Sequence, residues 1–126
     1  MQDTQKLDVA RSRWVKVMAD YSSTGLWDST GVPLEHDEIP ISLALSERLS
    51  AWCNRYELNE DYLPGAEGSF DYSGFCADGL AIAKALKTEL PDWTVVYFGE
   101  REMRAALAKQ LSTSERATYE FEVSAE

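Results

Sequence analysis

Hydrophobic positions along this chain follow two different spacings, and each spacing predicts one kind of element. In three segments, β-branched and aromatic residues alternate with polar ones or run together, as they do in strands. In three others, apolar residues recur every three or four positions, which places them on one face of a helix. The predicted strands cover residues 13–21, 93–99 and 117–123, and the predicted helices cover residues 43–57, 75–90 and 100–112.

The order β-α-α-β-α-β predicts an α/β (α+β) fold over residues 1–126, as a single domain. A small mixed sheet packed by helices buries all of these apolar faces economically. Residues 1–11 are polar and have no period, so we predict a frayed lead-in. The last strand is expected at a sheet edge, where Glu120 and Glu122 disfavour pairing with a second copy. A monomer or a weak dimer is therefore expected.

Several single residues have definite structural roles in this interpretation. Ser42 directly precedes the first helix and is predicted to cap it. Gly79 interrupts the buried stripe of the second helix, which predicts close packing against another element. Cys53 and Cys76 lie beside helical stripes and are expected to be buried, reduced thiols.

The chain carries no pattern of a membrane or secreted protein. No apolar run approaches the roughly 18–20 residues of a membrane helix, and the first residues lack the apolar segment of a signal peptide. A cytoplasmic protein without a membrane partner is expected.

Patterns of catalysis and metal binding are also absent from the sequence. His36 is the single histidine, and there is no metal-ligand spacing, nucleophile elbow or phosphate-binding glycine loop. The acids beside His36 lie in one loop and would not surround a cation from several directions. We expect no metal, no cofactor and no catalytic residue. The many carboxylates leave paired-carboxylate chemistry open.

Negative charge is concentrated in the middle of the chain. The formal net charge is −10, and residues 28–92 hold 13 of the 22 acids but only 4 of the 12 bases. This distribution argues against nucleic-acid binding and favours a cationic partner. The densest charge lies in two predicted loops, here called the first acidic loop (residues 28–38) and the second acidic loop (residues 57–71).

Acids interleaved with aromatic residues are typical of a surface that recognises a basic protein. The carboxylates speed the encounter, and the aromatic side chains anchor the complex. In the alternative interpretation, the acids form a solvated surface and the aromatic residues Trp27, Tyr62, Phe70 and Tyr72 fold inward to cover the core. The residues predicted to contact a partner are Trp27, Asp28, Asp37, Glu38, Glu57, Glu60, Asp61, Tyr62, Glu67 and Asp71.

Three motifs between residues 15 and 98 resemble a group of small acidic bacterial proteins. They are an SGLWD-type turn (Gly25–Asp28), a helix with Arg48, Trp52, Arg55 and Tyr56, and an LKxELPDWxVxY unit (Leu86–Tyr97). Proteins of this kind resemble immunity proteins, which neutralise antibacterial toxins delivered between cells. Together with the acidic loops, the resemblance implies a non-catalytic inhibitor that occludes a basic toxin, for which a nuclease is the first candidate. The alternative is a small adaptor or regulatory domain with another protein partner.

Overall fold

The computed structural model describes residues 12–60, 62–66, 68–108 and 119–124. These residues form three α-helices and a four-stranded mixed sheet. The strands are β1 (Trp14–Val17), β2 (Leu26–Trp27), β3 (Thr94–Phe98) and β4 (Glu120–Glu122), and the helices are α1 (Leu43–Glu57), α2 (Tyr72–Glu89) and α3 (Glu100–Ala108). A short 3-10 helix, His36–Glu38, lies between β2 and α1.

The sheet has the strand order β2-β1-β3-β4, with two parallel strands at its centre. Val15 of β1 lies opposite Val95 of β3, and both side chains are fully buried. β2 and β4 pair antiparallel with the outer sides of this central pair. The predicted mixed sheet packed by helices is confirmed, and β4 lies at a sheet edge as expected.

The interface between α1 and α2 is built around one tryptophan. The Trp52 indole donates a hydrogen bond to the Phe75 carbonyl at 2.9 Å and stacks on the Phe75 ring, with centroids 4.6 Å apart. A Cβ atom on residue 79 would lie 2.5 Å from the Trp52 ring, so only glycine admits this approach. The close packing predicted for Gly79 is confirmed. The predicted cap is also confirmed, because Ser42 Oγ accepts from the Leu45 N–H at 3.1 Å.

Only α1 has its predicted bounds; the strands are shorter than predicted, and the start of α2 differs as well. β1 ends at Val17 instead of continuing to residue 21, because the chain then turns back towards the unpredicted strand β2. α2 begins at Tyr72 instead of Phe75, because the Asp71 carboxylate accepts from the Gly74 N–H at 3.0 Å and caps the helix earlier.

The two cysteines are both buried and free, as predicted. Burial raises the pKa of the Cys53 thiol to about 11 and also raises the pKa of Cys76. Both thiols are therefore protonated at neutral pH and are poor nucleophiles. The frayed lead-in predicted for residues 1–11, and residues 109–112 of the predicted third helix, lie outside the described residues.

Candidate functional site

The first acidic loop is bound closely to its own backbone. Asp28 Oδ1 accepts from the N–H groups of Thr30 and Val32, at 2.8 and 2.9 Å, and from the Thr30 hydroxyl at 2.7 Å. Partial burial tends to raise the pKa of Asp28, but these hydrogen bonds outweigh it and hold the pKa below its ordinary value. Glu38 Oε1 likewise accepts from the Glu35 N–H at 2.9 Å. These two carboxylates therefore stabilise local structure.

His36 fastens the first acidic loop to α1. Its Nε2 lies 2.9 Å from the Thr24 carbonyl, and its Nδ1 lies 2.7 Å from Ser46 Oγ of α1. A carbonyl only accepts, so Nε2 donates to Thr24, while Nδ1 shares a hydrogen bond with the Ser46 hydroxyl. Asp37 remains exposed beside this anchor, at the rim of a cleft of about 440 Å³ that α1 borders through Ser50.

The second acidic loop begins where α1 ends, and it presents large apolar side chains to solvent. Leu58 is 78% exposed, Tyr62 is 70% exposed and Leu63 is 38% exposed. Tyr21, 41% exposed, lies edge-on to Tyr62 with ring centroids 6.1 Å apart, and its hydroxyl donates to the Asn59 carbonyl at 2.6 Å. We call Tyr21, Leu58, Tyr62 and Leu63 the apolar rim. Exposed side chains of this size are typical anchors of protein interfaces.

Acidic side chains accompany the apolar rim. The Glu57 carboxylate accepts from the Ser22 N–H and thereby joins the end of α1 to the connection between β1 and β2. Glu60 is exposed two residues before Tyr62. Asp61 and Glu67, which the sequence also placed at this surface, lie outside the described residues.

The aromatic residues in and beside the two acidic loops are either half-buried or exposed. Trp27 is half-buried, and its indole donates to the Met18 carbonyl at 2.8 Å. Phe70 packs against the core and lies 4.8 Å from the half-buried Tyr72 ring. Tyr62 is instead largely exposed. The inward-folding interpretation is therefore correct for Phe70, which packs against the core, whereas Tyr72 is half-buried and Tyr62 has the exposure of an anchor.

Sequence reasoning missed three members of the apolar rim, namely Tyr21, Leu58 and Leu63. One signal was available for Leu58. It follows the buried Tyr56 by two positions and so falls off the apolar stripe of α1. An apolar residue that lies at the end of a helix but outside its buried face is expected to be exposed.

The matched family spans most of the described fold. Residues 13–100 match the sequence model of the Serratia CdiI immunity protein-like family. The chain belongs to this family. The immunity-protein-like part of the resemblance is thus confirmed, and the matched residues include both acidic loops and the whole apolar rim. No curated protein matches the chain.

The described residues of this family member offer no metal centre. Among them, no three His, Cys, Asp or Glu side chains are grouped so that they could hold a metal ion. No described helix has both the length and the apolar character needed to cross a membrane. What these residues do present is a surface of exposed apolar side chains and carboxylates.

Proposed function

We propose that this protein is an immunity protein that neutralises a contact-dependent inhibition toxin by binding it. We further propose that the toxin is basic, with a nuclease as the first candidate, and that inhibition is occlusion without catalysis. The observation that carries this proposal is the exposed apolar rim beside Glu57 and Glu60, in a family member whose net charge is −10. A cytoplasmic site of action and a monomer or weak dimer belong to the same proposal.

The two kinds of side chain have different tasks in this mechanism. Carboxylates such as Asp37 and Glu60 attract the lysines and arginines with which a nuclease holds phosphates, and they raise the association rate. Leu58 and Tyr62 then become buried, and the apolar area they lose to solvent slows dissociation. The toxin's substrate is excluded because its cationic groove is covered.

Tyr21, one member of the apolar rim, is held in place before any partner arrives. The Tyr21 hydroxyl is bonded to the Asn59 carbonyl, and the Tyr21 ring lies 4.9 Å from the buried Tyr56 ring. The bond from the Ser22 N–H to Glu57 holds the same connection against α1. A residue fixed in this way loses little conformational entropy on binding, which favours tight association.

A pull-down from lysate of the host, with this protein as bait, tests the proposal. We expect a basic protein that is retained at low salt and released at high salt, because screening weakens the attraction. The captured protein should stop growth when expressed alone and be harmless when co-expressed with this protein.

Charge reversal then locates the surface. The double variants Glu60→Lys/Asp61→Lys and Asp37→Lys/Glu38→Lys should each slow association with the captured toxin. The matched control is Glu47→Lys/Glu122→Lys, which changes the net charge equally at two exposed positions outside both acidic loops. Binding that resists salt and both reversals would contradict occlusion of a basic toxin and favour an adaptor that recognises its partner through the apolar rim.

A further inference from the structure

The cleft of about 440 Å³ beside His36 lies between three segments of the chain, namely α1, the region of the short 3-10 helix and the connection from β1 to β2. All three segments supply polar side chains to its walls, which include Glu35, Asp37, Ser50, Asn54, Ser23 and Thr24. Among the described residues that line it, there is no lysine, arginine or aromatic side chain. The cleft therefore suits a small cationic group.

The carboxylates of this cleft are accessible and stand on a fixed segment. Glu35 and Asp37 are both exposed, so a partner can reach them. They flank His36, whose ring nitrogens lie 2.9 Å from the Thr24 carbonyl and 2.7 Å from Ser46 Oγ. These two contacts hold the segment that carries both acids against α1.

The cleft is continuous with the apolar rim. Ser23 lines the cleft, the Ser22 N–H donates to Glu57, and Tyr21 belongs to the apolar rim. Because Tyr21 and Ser23 are two residues apart, their Cα atoms are separated by at most about 7 Å. A protein interface of ordinary size covers about 800 Å² on each partner, which is a disc roughly 30 Å across. A toxin that covers Tyr21 therefore covers the cleft as well.

We propose that this cleft receives a lysine side chain of the toxin, whose ammonium binds the carboxylates of Glu35 and Asp37. The inference rests on the proposed function for the source of the lysine. An ammonium donates three hydrogen bonds in different directions, which suits acceptors that come from separate segments, such as these two acids and Asn54 of α1. Arginine fits less well, because its planar guanidinium gains from stacking on aromatic rings, and the described lining residues include none.

A peptide titration tests the cleft without the toxin. The probe is a capped pentapeptide with one lysine among glycines, compared with the same peptide in which uncharged Nε-acetyl-lysine replaces lysine. We expect the lysine peptide alone to shift the NMR signals of the Asn54 side-chain amide. The shifts should be lost in Glu35→Gln/Asp37→Asn and kept in Glu47→Gln/Glu122→Gln, which removes an equal charge at two exposed positions outside the cleft. No shift, equal shifts from both peptides, or unchanged shifts in the cleft variant would overturn the proposal.

The same two double variants measure what the cleft contributes to the complex. Glu35→Gln/Asp37→Asn should bind the captured toxin about tenfold more weakly, with most of the loss in the dissociation rate, because the paired charges act after contact. Its melting temperature should change little, since glutamine and asparagine keep the shape of exposed side chains. Glu47→Gln/Glu122→Gln should change mainly the association rate. Equal effects of the two variants on dissociation would contradict a specific site.

A further variant fills the cleft. Ser50→Arg places a guanidinium beside Glu35 and Asp37, so the toxin lysine should be excluded by volume and by like charge, and toxin affinity should again fall about tenfold. The matched control is Ala44→Arg, which adds the same charge at an exposed position of α1 that does not line the cleft. Unchanged affinity in Ser50→Arg, or an equal loss in Ala44→Arg, would count against the site.

Double-mutant cycles identify the ligand. Each lysine of the captured toxin is replaced in turn by methionine, and at one position the replacement should weaken binding to the unsubstituted protein but not to Glu35→Gln/Asp37→Asn. Coupling to an arginine instead, or to no lysine, would overturn the assignment. A neutralised toxin whose affinity is unchanged in every cleft variant contradicts the lysine site and leaves occlusion intact. Failure of the unsubstituted protein to neutralise any toxin contradicts the proposed function, whatever the peptide shows.

Discussion

The two acidic loops look alike in sequence, but the fold uses them differently. In the first, the carboxylates of Asp28 and Glu38 accept hydrogen bonds from nearby backbone N–H groups. In the second, Glu57 and Asp71 at the two ends of the loop also accept from backbone N–H groups. Between them, however, Glu60 lies beside Leu58 and Tyr62, whose side chains project into solvent. A carboxylate bonded to its own backbone contributes to folding, whereas we propose that one beside exposed apolar groups meets the partner. Equal charge density is therefore a poor guide to where binding occurs.

Truncation of the apolar rim should give the largest effect. In Leu58→Ala/Tyr62→Ala we expect the affinity for the toxin to fall by about 2 kcal/mol or more, roughly 30-fold in Kd, as for interface anchors. The melting temperature should change little, because both side chains are exposed. Calorimetric titration with the captured toxin measures the affinity.

Val32→Ala is the matched control, because Val32 is an exposed apolar residue of the first acidic loop, 44% exposed. It should leave toxin affinity unchanged. An equal loss of affinity in Val32→Ala would remove the distinction between the two loops.

Removal of the Asp28 carboxylate should have the opposite effect to truncation of the apolar rim. We expect a loss of stability and little change in affinity for the toxin. Asp28→Ala deletes the acceptor of three hydrogen bonds, so we expect the free energy of unfolding to fall by about 1–2 kcal/mol at neutral pH. Ser29→Ala, an exposed neighbour, serves as the control.

This stability difference should depend on pH in a definite direction. The folded protein holds the pKa of Asp28 below its unfolded value, so the carboxylate stabilises the fold above the unfolded pKa. The contribution disappears as the pH falls through the lower, folded pKa. The free energies of unfolding of the unsubstituted protein and of Asp28→Ala, measured with urea, should therefore differ at neutral pH and become equal below about pH 4. A difference that persists in acid would mean that the charge is not what stabilises the turn.

A single neutralised acid should give the smallest effect. Glu60→Gln should slow toxin association a few-fold at low salt and leave the rate unchanged at high salt. Glu38→Gln should slow it less, because that carboxylate is already bonded to the Glu35 N–H. Stopped-flow measurements at two salt concentrations compare the variants, and equal slowing would show that long-range charge alone controls the encounter.

The sequence predicted the parts of the fold that depend on periodic burial. The bounds of α1, Leu43–Glu57, were predicted correctly because apolar residues recur on one buried face over about four turns. β2 was missed, since two residues are too few to show a period. The start of α2 was placed late because its first turn is fixed by the Asp71 side chain, whose bond to Gly74 leaves no trace in the hydrophobic pattern.

The candidate site was less accessible to sequence reasoning. The acidic loops were visible as composition, but composition does not show that Asp28 is bonded to its own turn while Tyr62 is exposed. Tyr21 precedes β2 and α1 in the chain, whereas Tyr62 follows them. No local sequence pattern therefore shows that the two rings are in contact.

The parallel pairing of β1 with β3 also sets the time at which a newly made copy becomes active. Val15 and its partner Val95 are 80 positions apart in the chain. The ribosome releases β1 long before β3, so the centre of the sheet cannot close until most of the chain has emerged, and contacts this distant form slowly. Under the proposed function, protection therefore depends on finished copies that are already present, since a partly translated chain lacks the β1–β3 pair at the centre of the sheet.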